Sequence, residues 1–141
     1  MPPRPRPRRP LARAVSLCLA ALLGLPPGIV RAQEVIDLMG QMEKAFVALV
    51  QQVLVLPVQN MGDPPFPEAA REAAKIAETA GQIPKTGAFP GDQAFLKLAR
   101  EALEAARQAE TSAKEKRMDG AVAALVKLHA ACTACHKDFR F

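Results

Sequence analysis

The sequence predicts an all-α fold, an antiparallel four-helix bundle, on three observations. Four segments carry apolar residues at intervals of three and four, which is the period of an amphipathic helix. Segments rich in proline and glycine separate them, and no stretch shows the alternation of a β-strand. Alanine and leucine are abundant while Trp and Tyr are absent, which favours closely packed helices. Short connections between amphipathic helices make an antiparallel bundle the simplest packing.

The first two predicted helices are bounded by proline and glycine. The first is expected over residues 34–54, with Pro57 ending it. Its apolar stripe steps by three and four: Met39, Met42, Phe46, Leu49 and Val53. The second is expected to begin near Pro67, because proline is tolerated in a first turn, and to end at Gly81. Its inner stripe is mostly alanine: Ala69, Ala73, Ile76, Ala80 and Ile83.

The third and fourth predicted helices begin at acidic residues. Asp92 is the candidate N-cap of the third, and the charged run 114–117 is interpreted as its solvated end. Its stripe is Phe95, Leu98, Ala102, Ala105 and Ala109. Asp119 and Gly120 are expected to open the fourth helix. Its inward stripe is Val122, Leu125, His129, Cys132, His136 and Phe139. Alanine on the walls of helices two and three would either leave room for a flat, bulky group or let the helices approach closely.

Residues 1–32 are interpreted as a secretory signal peptide, which leaves one domain over residues 33–141. A basic segment, 4–13, precedes an apolar segment, 14–25, and a small-residue cleavage site ends at Ala32. The apolar segment is shorter than the roughly 20 residues that a membrane-spanning helix needs. We therefore expect a periplasmic protein with no stable membrane span after processing. An uncleaved N-terminal anchor is the alternative.

The net charge of +5 does not indicate nucleic-acid binding. Six of the 19 basic residues are arginines of the predicted signal peptide, which has no acidic residue. From residue 33 onward, 19 less six leaves 13 basic residues against 14 acidic ones, a net charge near −1. No basic interface for nucleic acid is therefore predicted.

The motif that carries chemistry is Cys132-Thr133-Ala134-Cys135-His136, the C-x-x-C-H pattern of c-type haem attachment. Two thiols three residues apart on one helical turn can each bond a vinyl group of the haem. The next residue then places an imidazole under the iron. Haem attachment occurs outside the cytoplasm, in agreement with the predicted export. The expected cofactor is one haem c per chain, with His136 as the proximal iron ligand.

Three other interpretations of the two cysteines remain open. A thioredoxin-like redox pair would need a βαβ context, which the sequence pattern lacks. A zinc site needs four ligands, usually from two separated pairs, and only His129 is available to help. A disulfide suits an exported protein but leaves His136 without a role.

The second axial ligand must come from another helix, because it approaches the opposite face of the haem. Met39 and Met42 are the best donors, while Met61 lies in a loop and Met118 near the start of helix four. Methionines on an apolar stripe are often core residues, so both roles remain open. His129 lies on the same side of its helix as the proximal histidine, about 10 Å along the axis. It is expected to be a buried histidine bonded to a backbone carbonyl or a propionate.

From Cys132 to Arg140, the sequence CTACHKDFR resembles the ending of class II cytochromes c, the cytochrome c prime family. Phe139 and Arg140 match the aromatic residue and the arginine that follow the motif in that family. Residues 39–49 resemble the first helix of the family. The resemblance implies a four-helix bundle with haem c on its last helix. Family members are often homodimers through their first helices, and this sequence leaves monomer and homodimer open.

The resemblance also implies a distal ligand. Met39 falls on the distal position of the family, where electron-transfer members have methionine and gas-binding members have an apolar residue with five-coordinate iron. Met42 is the fallback. The family often carries an arginine four residues before the distal position, where it meets a haem propionate, and this chain has Val35 there. This chain therefore lacks the arginine that makes the propionate contact in the family.

The predicted function is single-electron transfer in the periplasm through a haem with His136 and Met39 as axial ligands. The protein would be an electron carrier and not an enzyme, and its partners would be periplasmic redox proteins. A thioether ligand favours ferrous iron and raises the potential. The alternative is a five-coordinate cytochrome that binds nitric oxide or carbon monoxide, with Met39 in the core.

Overall fold

The structure, a computed structural model, describes residues 27–139, with side chains from residue 32 onward. All regular secondary structure in this range is helical, which confirms that the fold is all-α. The basic and apolar segments of the predicted signal peptide, and Arg140, lie outside the described residues. The five α-helices are α1 (Pro27–Val50), α2 (Leu56–Asn60), α3 (Phe66–Ala80), α4 (Gln93–Lys114) and α5 (Met118–Phe139). A 3-10 helix, Ile83–Thr86, lies between α3 and α4.

The first helix extends beyond its predicted bounds at both ends. It begins at Pro27, and a π-helical segment, Gln51–Val55, leads from α1 directly into α2. Within that segment the N–H of Leu56 donates to the carbonyl five residues earlier. Pro57 lies in the first turn of α2, where its missing N–H and its ring are tolerated. The prediction that Pro57 ends the helix is therefore wrong, since the wider π turn before it lets the chain continue.

The other helix boundaries follow the prediction closely. α3 begins at Phe66 and ends immediately before Gly81. Asp92 caps α4, because its side-chain Oδ1 accepts a hydrogen bond from the N–H of Phe95 at 3.0 Å. α5 begins at Met118, one residue before the predicted start. Local capping and breaking residues thus fixed these ends, as the sequence analysis expected.

Packed alanines form much of the core. α3 packs between α1 and α4, and α4 also packs along α5. The predicted inner stripe of α3 is buried throughout. The buried alanines of α4 are Ala99, Ala102, Ala105, Ala106, Ala109 and Ala113. These small side chains let the helix backbones approach closely, so α3, α4 and α5 form the dense side of the molecule.

The inner face of α5 is rotated relative to the prediction. Its buried residues are Ala121, Ala124, Leu125, Leu128 and Ala131. His129 and His136 are exposed, so the expectation of a buried His129 is wrong. The cause is close packing on α4: a Cβ on Gly120 would lie 2.6 Å from the Oγ of Ser112. The small residues of α5 face α4, and both histidines therefore lie on a side of α5 that is turned away from this contact.

Three phenylalanines anchor the C-terminal end of α5. The ring centroids of Phe89 and Phe139 are 5.1 Å apart, and those of Phe95 and Phe139 are 5.4 Å apart. Phe89 and Phe95 also meet, with centroids 4.8 Å apart. All three distances lie within the range of favourable aromatic pairs. The turn that follows the C-x-x-C-H motif is therefore held against the start of α4.

In the part of the chain that the structure describes, one helix is long and apolar enough to cross a membrane. It is α5, whose most apolar window has a mean hydropathy of 1.2, with 33% of that window buried in the fold. Core helices of globular proteins meet the same criterion, so this is weak evidence for a membrane span.

Candidate functional site

The C-x-x-C-H motif occupies one turn near the end of α5. Cys132 and Cys135 are half-buried, and neither forms a disulfide. His136 is exposed on the next position of the same helix. At about 100° per residue, the three side chains leave the helix within about 100° of arc, with Cys132 in the middle. Two unpaired thiols and an accessible imidazole therefore open towards one side of the helix.

Both motif thiols are poor acids in this environment. Burial raises the pKa of Cys132, and the neighbouring Cys135 raises it further, while a backbone hydrogen bond partly offsets the rise. Burial also raises the pKa of Cys135, and the Asp138 carboxylate adds to that rise. The thiols are therefore protonated at neutral pH. A redox-active dithiol instead needs a thiolate stabilised by a lowered pKa, so the structure disfavours the thioredoxin-like interpretation.

His129 contacts α1 across the molecule. Its ring and the ring of Phe46 are stacked, with centroids 6.2 Å apart and planes inclined by 27°. α5 packs along α4 and also touches the π segment, and the Phe46–His129 pair is a contact between α5 and α1. The sequence analysis placed Phe46 in an apolar stripe without pairing it with His129. A signal for this pairing was present in the sequence. Phe46 lies seven residues after Met39, and His129 lies seven residues before His136.

The four candidate methionines lie in different environments. Met42 is 7% exposed within the hydrophobic core, whereas Met39 is half-buried and packs against the edge of that core. Met61 is 94% exposed at the end of α2. Met118 opens α5, about 27 Å along the helix axis from His136. Met61 and Met118 are thus poorly placed to act with His136, and Met39 is the more accessible of the other two.

Val35, at the position where the family often has arginine, is fully buried. An apolar side chain at that point completes the core of α1 and offers no donor to a propionate. If a haem propionate lay near this point, as the resemblance implies, its partner would have to be another residue.

Two clefts in the described structure lie away from the motif. One, of about 330 Å³, lies between α1 and α3 and has charged walls that include Lys44, Glu72 and Lys75. The other, of about 570 Å³, lies between α4 and α5 and includes Arg107 and Lys127. No motif residue lines either cleft. The motif instead lies on the open flank of α5, and no group of three His, Cys, Asp or Glu side chains among residues 32–139 converges as a metal site.

Comparison of the chain with protein-family models, with curated proteins and with solved structures finds no match. The resemblance to class II cytochromes c therefore rests on the motif at the end of α5 and on the pattern of the first helix.

Proposed function

We propose that the protein is a periplasmic electron carrier that holds one haem c through Cys132, Cys135 and His136. The observation that carries the proposal is the presentation of the motif: two unpaired, half-buried thiols and an exposed imidazole on one turn of α5. Each thiol would add its S–H across one vinyl group of the haem, so that one C–S bond forms as the vinyl double bond is consumed. The donor set therefore fits haem c, and a disulfide would leave His136 unused.

The proposed architecture is an antiparallel four-helix bundle in which α1, the π segment and α2 act as one long helix. Two contacts support opposite directions for α4 and α5. Ser112 packs against Gly120, and Lys127 donates to the Oε1 of Gln108 at 3.1 Å. Later residues of α5 thus contact earlier residues of α4.

Contacts at the two ends support an antiparallel arrangement of α1 and α5. The 3-10 helix Ile83–Thr86 packs on α1, and Phe89, which follows it, contacts Phe139 at the end of α5. At the other end, the π segment after α1 packs on α5. In an antiparallel pair, the end of α5 that carries the motif would lie beside the first half of α1.

Met39 is the proposed distal ligand because it would lie opposite His136 where α1 and α5 face each other. This facing strip of the two helices is called the α1–α5 seam. Phe46 and His129 meet across the seam. Met39 lies seven residues before Phe46, and His136 lies seven residues after His129. A step of seven residues returns to the same side of a helix to within about 20° and advances about 10.5 Å along its axis. In an antiparallel pair the two displacements run in the same direction, so Met39 and His136 would face each other.

The chain's residues would hold the haem between α1 and α5 and control its electronics. Bound haem supplies one-electron chemistry between ferric and ferrous iron. His136 would fix the proximal face, and the thioether of Met39 would favour the ferrous form. Phe46 and His129 would border the same seam and limit access of water. The partners would be periplasmic redox proteins, and both monomer and homodimer are compatible with this role.

A five-coordinate gas-binding cytochrome is the second candidate. The observation that favours it is the packing of Met39 against the hydrophobic core, which gives its side chain a structural role without iron. In that case the distal face would be open to nitric oxide or carbon monoxide. The ferric optical spectrum distinguishes the candidates, because sulfur ligation gives a near-infrared band and a low-spin state.

A pair of histidine variants tests the proposed site directly. His136→Ala should lose the haem spectrum or convert it to a weakly ligated form, because it removes the proximal bond. His129→Ala is the matched control, since it removes an exposed imidazole on the same flank of α5. It should retain the spectrum of the unmodified protein. Equal loss in the two variants would contradict the assignment and make His129 a ligand.

A further inference from the structure

The last turn of α5 carries His136 and is held to the core by a single residue. The helix ends at Phe139, three residues after the proposed iron ligand. His136, Lys137 and Asp138 are exposed, whereas Phe139 is half-buried and packs against the hydrophobic core. The end of a helix frays unless tertiary contacts hold it, because its last carbonyl groups have no donor within the helix. The position of His136 on this turn therefore depends on the packing of Phe139.

The ring of Phe139 packs edge-on against two other rings. Its centroid lies 5.1 Å from that of Phe89 and 5.4 Å from that of Phe95, with the planes inclined by 67° and 66°. Such edge-to-face geometry is favourable between aromatic rings. Phe95 is 2% exposed in the first turn of α4 and is the fixed member, while Phe89 joins it from the preceding loop. These three rings are called the aromatic cluster.

The loop that carries Phe89 has a defined backbone geometry. Gly87 and Gly91, on either side of it, have φ angles of +67° and +78°, which residues with a side chain rarely adopt. The N–H of Asp92 donates to the carbonyl of Phe89 at 3.3 Å. The carboxylate of the same Asp92 caps α4 by accepting from the N–H of Phe95 at 3.0 Å. The backbone that presents Phe89 is thus tied to the start of α4.

We propose that Phe89 is a positioning residue of the haem site, a role that rests on the proposed function. Through the aromatic cluster its ring holds the last turn of α5 and thereby fixes the direction from which His136 meets the iron. Phe139 lies about 60° around the helix axis from His136 and about 4.5 Å along it, so both move with the same turn. In α-helical geometry the N–H of Phe139 donates to the carbonyl of Cys135, so this turn also steadies one of the two thioether positions.

Hydrogen exchange tests whether Phe89 holds this turn. Phe89→Leu removes one ring of the cluster but leaves an apolar side chain, so the fold should be retained. The amides of residues 136–139 should exchange about tenfold faster, with or without haem, which corresponds to about 1.4 kcal/mol. Phe66→Leu is the matched control, because Phe66 is 9% exposed at the start of α3 and takes no part in the cluster. It should lower global stability without changing this local exchange.

The iron–histidine stretching band reports on the proximal bond, which a purely structural role of Phe89 would not change. Resonance Raman spectroscopy measures it in ferrous Met39→Ala protein, where the iron is five-coordinate under either candidate function. Adding Phe89→Leu should shift and broaden the band, because His136 would meet the iron from a range of directions. Phe89→Tyr keeps the ring and should restore both the band and the exchange rate, and Phe66→Leu should leave the band unchanged.

The outcomes separate this inference from the proposed function. A haem-carrying protein in which Phe89→Leu leaves the exchange rate or the band unchanged overturns the inference alone. An equal effect of Phe66→Leu on both measurements overturns it as well, since the effect would then be one of overall stability. Absence of haem from the unmodified protein overturns the proposed function, and the positioning role at the iron with it.

Discussion

Alanine substitutions of Met39 and Met42 should separate iron ligation from packing. Met42 is 7% exposed within the core, and truncating a buried methionine typically costs about 2–5 kcal/mol of unfolding free energy. Met39 is half-buried, so its truncation removes less apolar surface from contact. We expect its packing loss to be about half as large. By packing alone, Met42→Ala is therefore the more damaging change.

The optical effects should have the opposite order. Met39→Ala removes the proposed sulfur ligand, so the iron should become high-spin and carbon monoxide should bind the ferrous form faster. Met42→Ala should leave the iron low-spin, because loss of packing does not by itself remove a ligand. Urea unfolding gives the first order, and the optical spectrum with carbon monoxide mixing gives the second.

Two results would refute this reasoning in different ways. A change of spin state in Met42→Ala alone would move the ligand by three residues along α1 and remove the proposed pairing of Met39 with His136. An unmodified protein that is already high-spin and five-coordinate would make Met39 a core residue. The gas-binding candidate would then be preferred.

Three further predictions concern processing, packing and thiol chemistry. N-terminal analysis of periplasmic protein should find Gln33 or its cyclised form, whereas an intact terminus in the membrane fraction would favour an anchor. Gly120→Ala should lower the unfolding free energy by about 1 kcal/mol in urea. Its Cβ would lie 2.6 Å from the Oγ of Ser112, and overpacking of about 1–3 kcal/mol outweighs the roughly 1 kcal/mol helix gain; a stabilised variant would contradict the packing. In haem-free protein, iodoacetamide should alkylate Cys132 and Cys135 at a higher pH midpoint when folded than in urea, because burial raises both pKa values and reduces the thiolate fraction. Coincident midpoints would mean that the thiols are not desolvated.

The sequence predicted the facing ends of α3 and α4, whereas it misjudged both ends of the first helix and the buried face of α5. Asp92 and Gly81 act through short-range chemistry, so their positions alone indicated where α4 begins and α3 ends. Pro57 was misjudged because a π turn can place a proline in a new first turn, and that depends on the surrounding structure. A helix-breaking residue can be identified from the local sequence, but whether the helix ends there depends on the surrounding structure.

The face of α5 could not be predicted because alanine carries little pattern. His129 and Cys132 fit an apolar stripe by spacing, whereas the buried side is set by small residues such as Ala124 and Ala131. The tight contact of Gly120 with α4 rotates that stripe, and this contact joins residues of different helices. The motif itself needed no such information, since its chemistry resides in the spacing of neighbouring residues. The aromatic cluster was missed because its rings come from a loop and from two helices.

Intact-protein mass spectrometry tests the central claim most directly. The protein should be produced with its complete sequence in a cell that exports it and attaches haem. We predict a mass equal to the mature chain plus one haem, and fragmentation should locate the haem on the peptide that contains Cys132 and Cys135. A haem-free mass with an intact disulfide between these two cysteines would contradict the account.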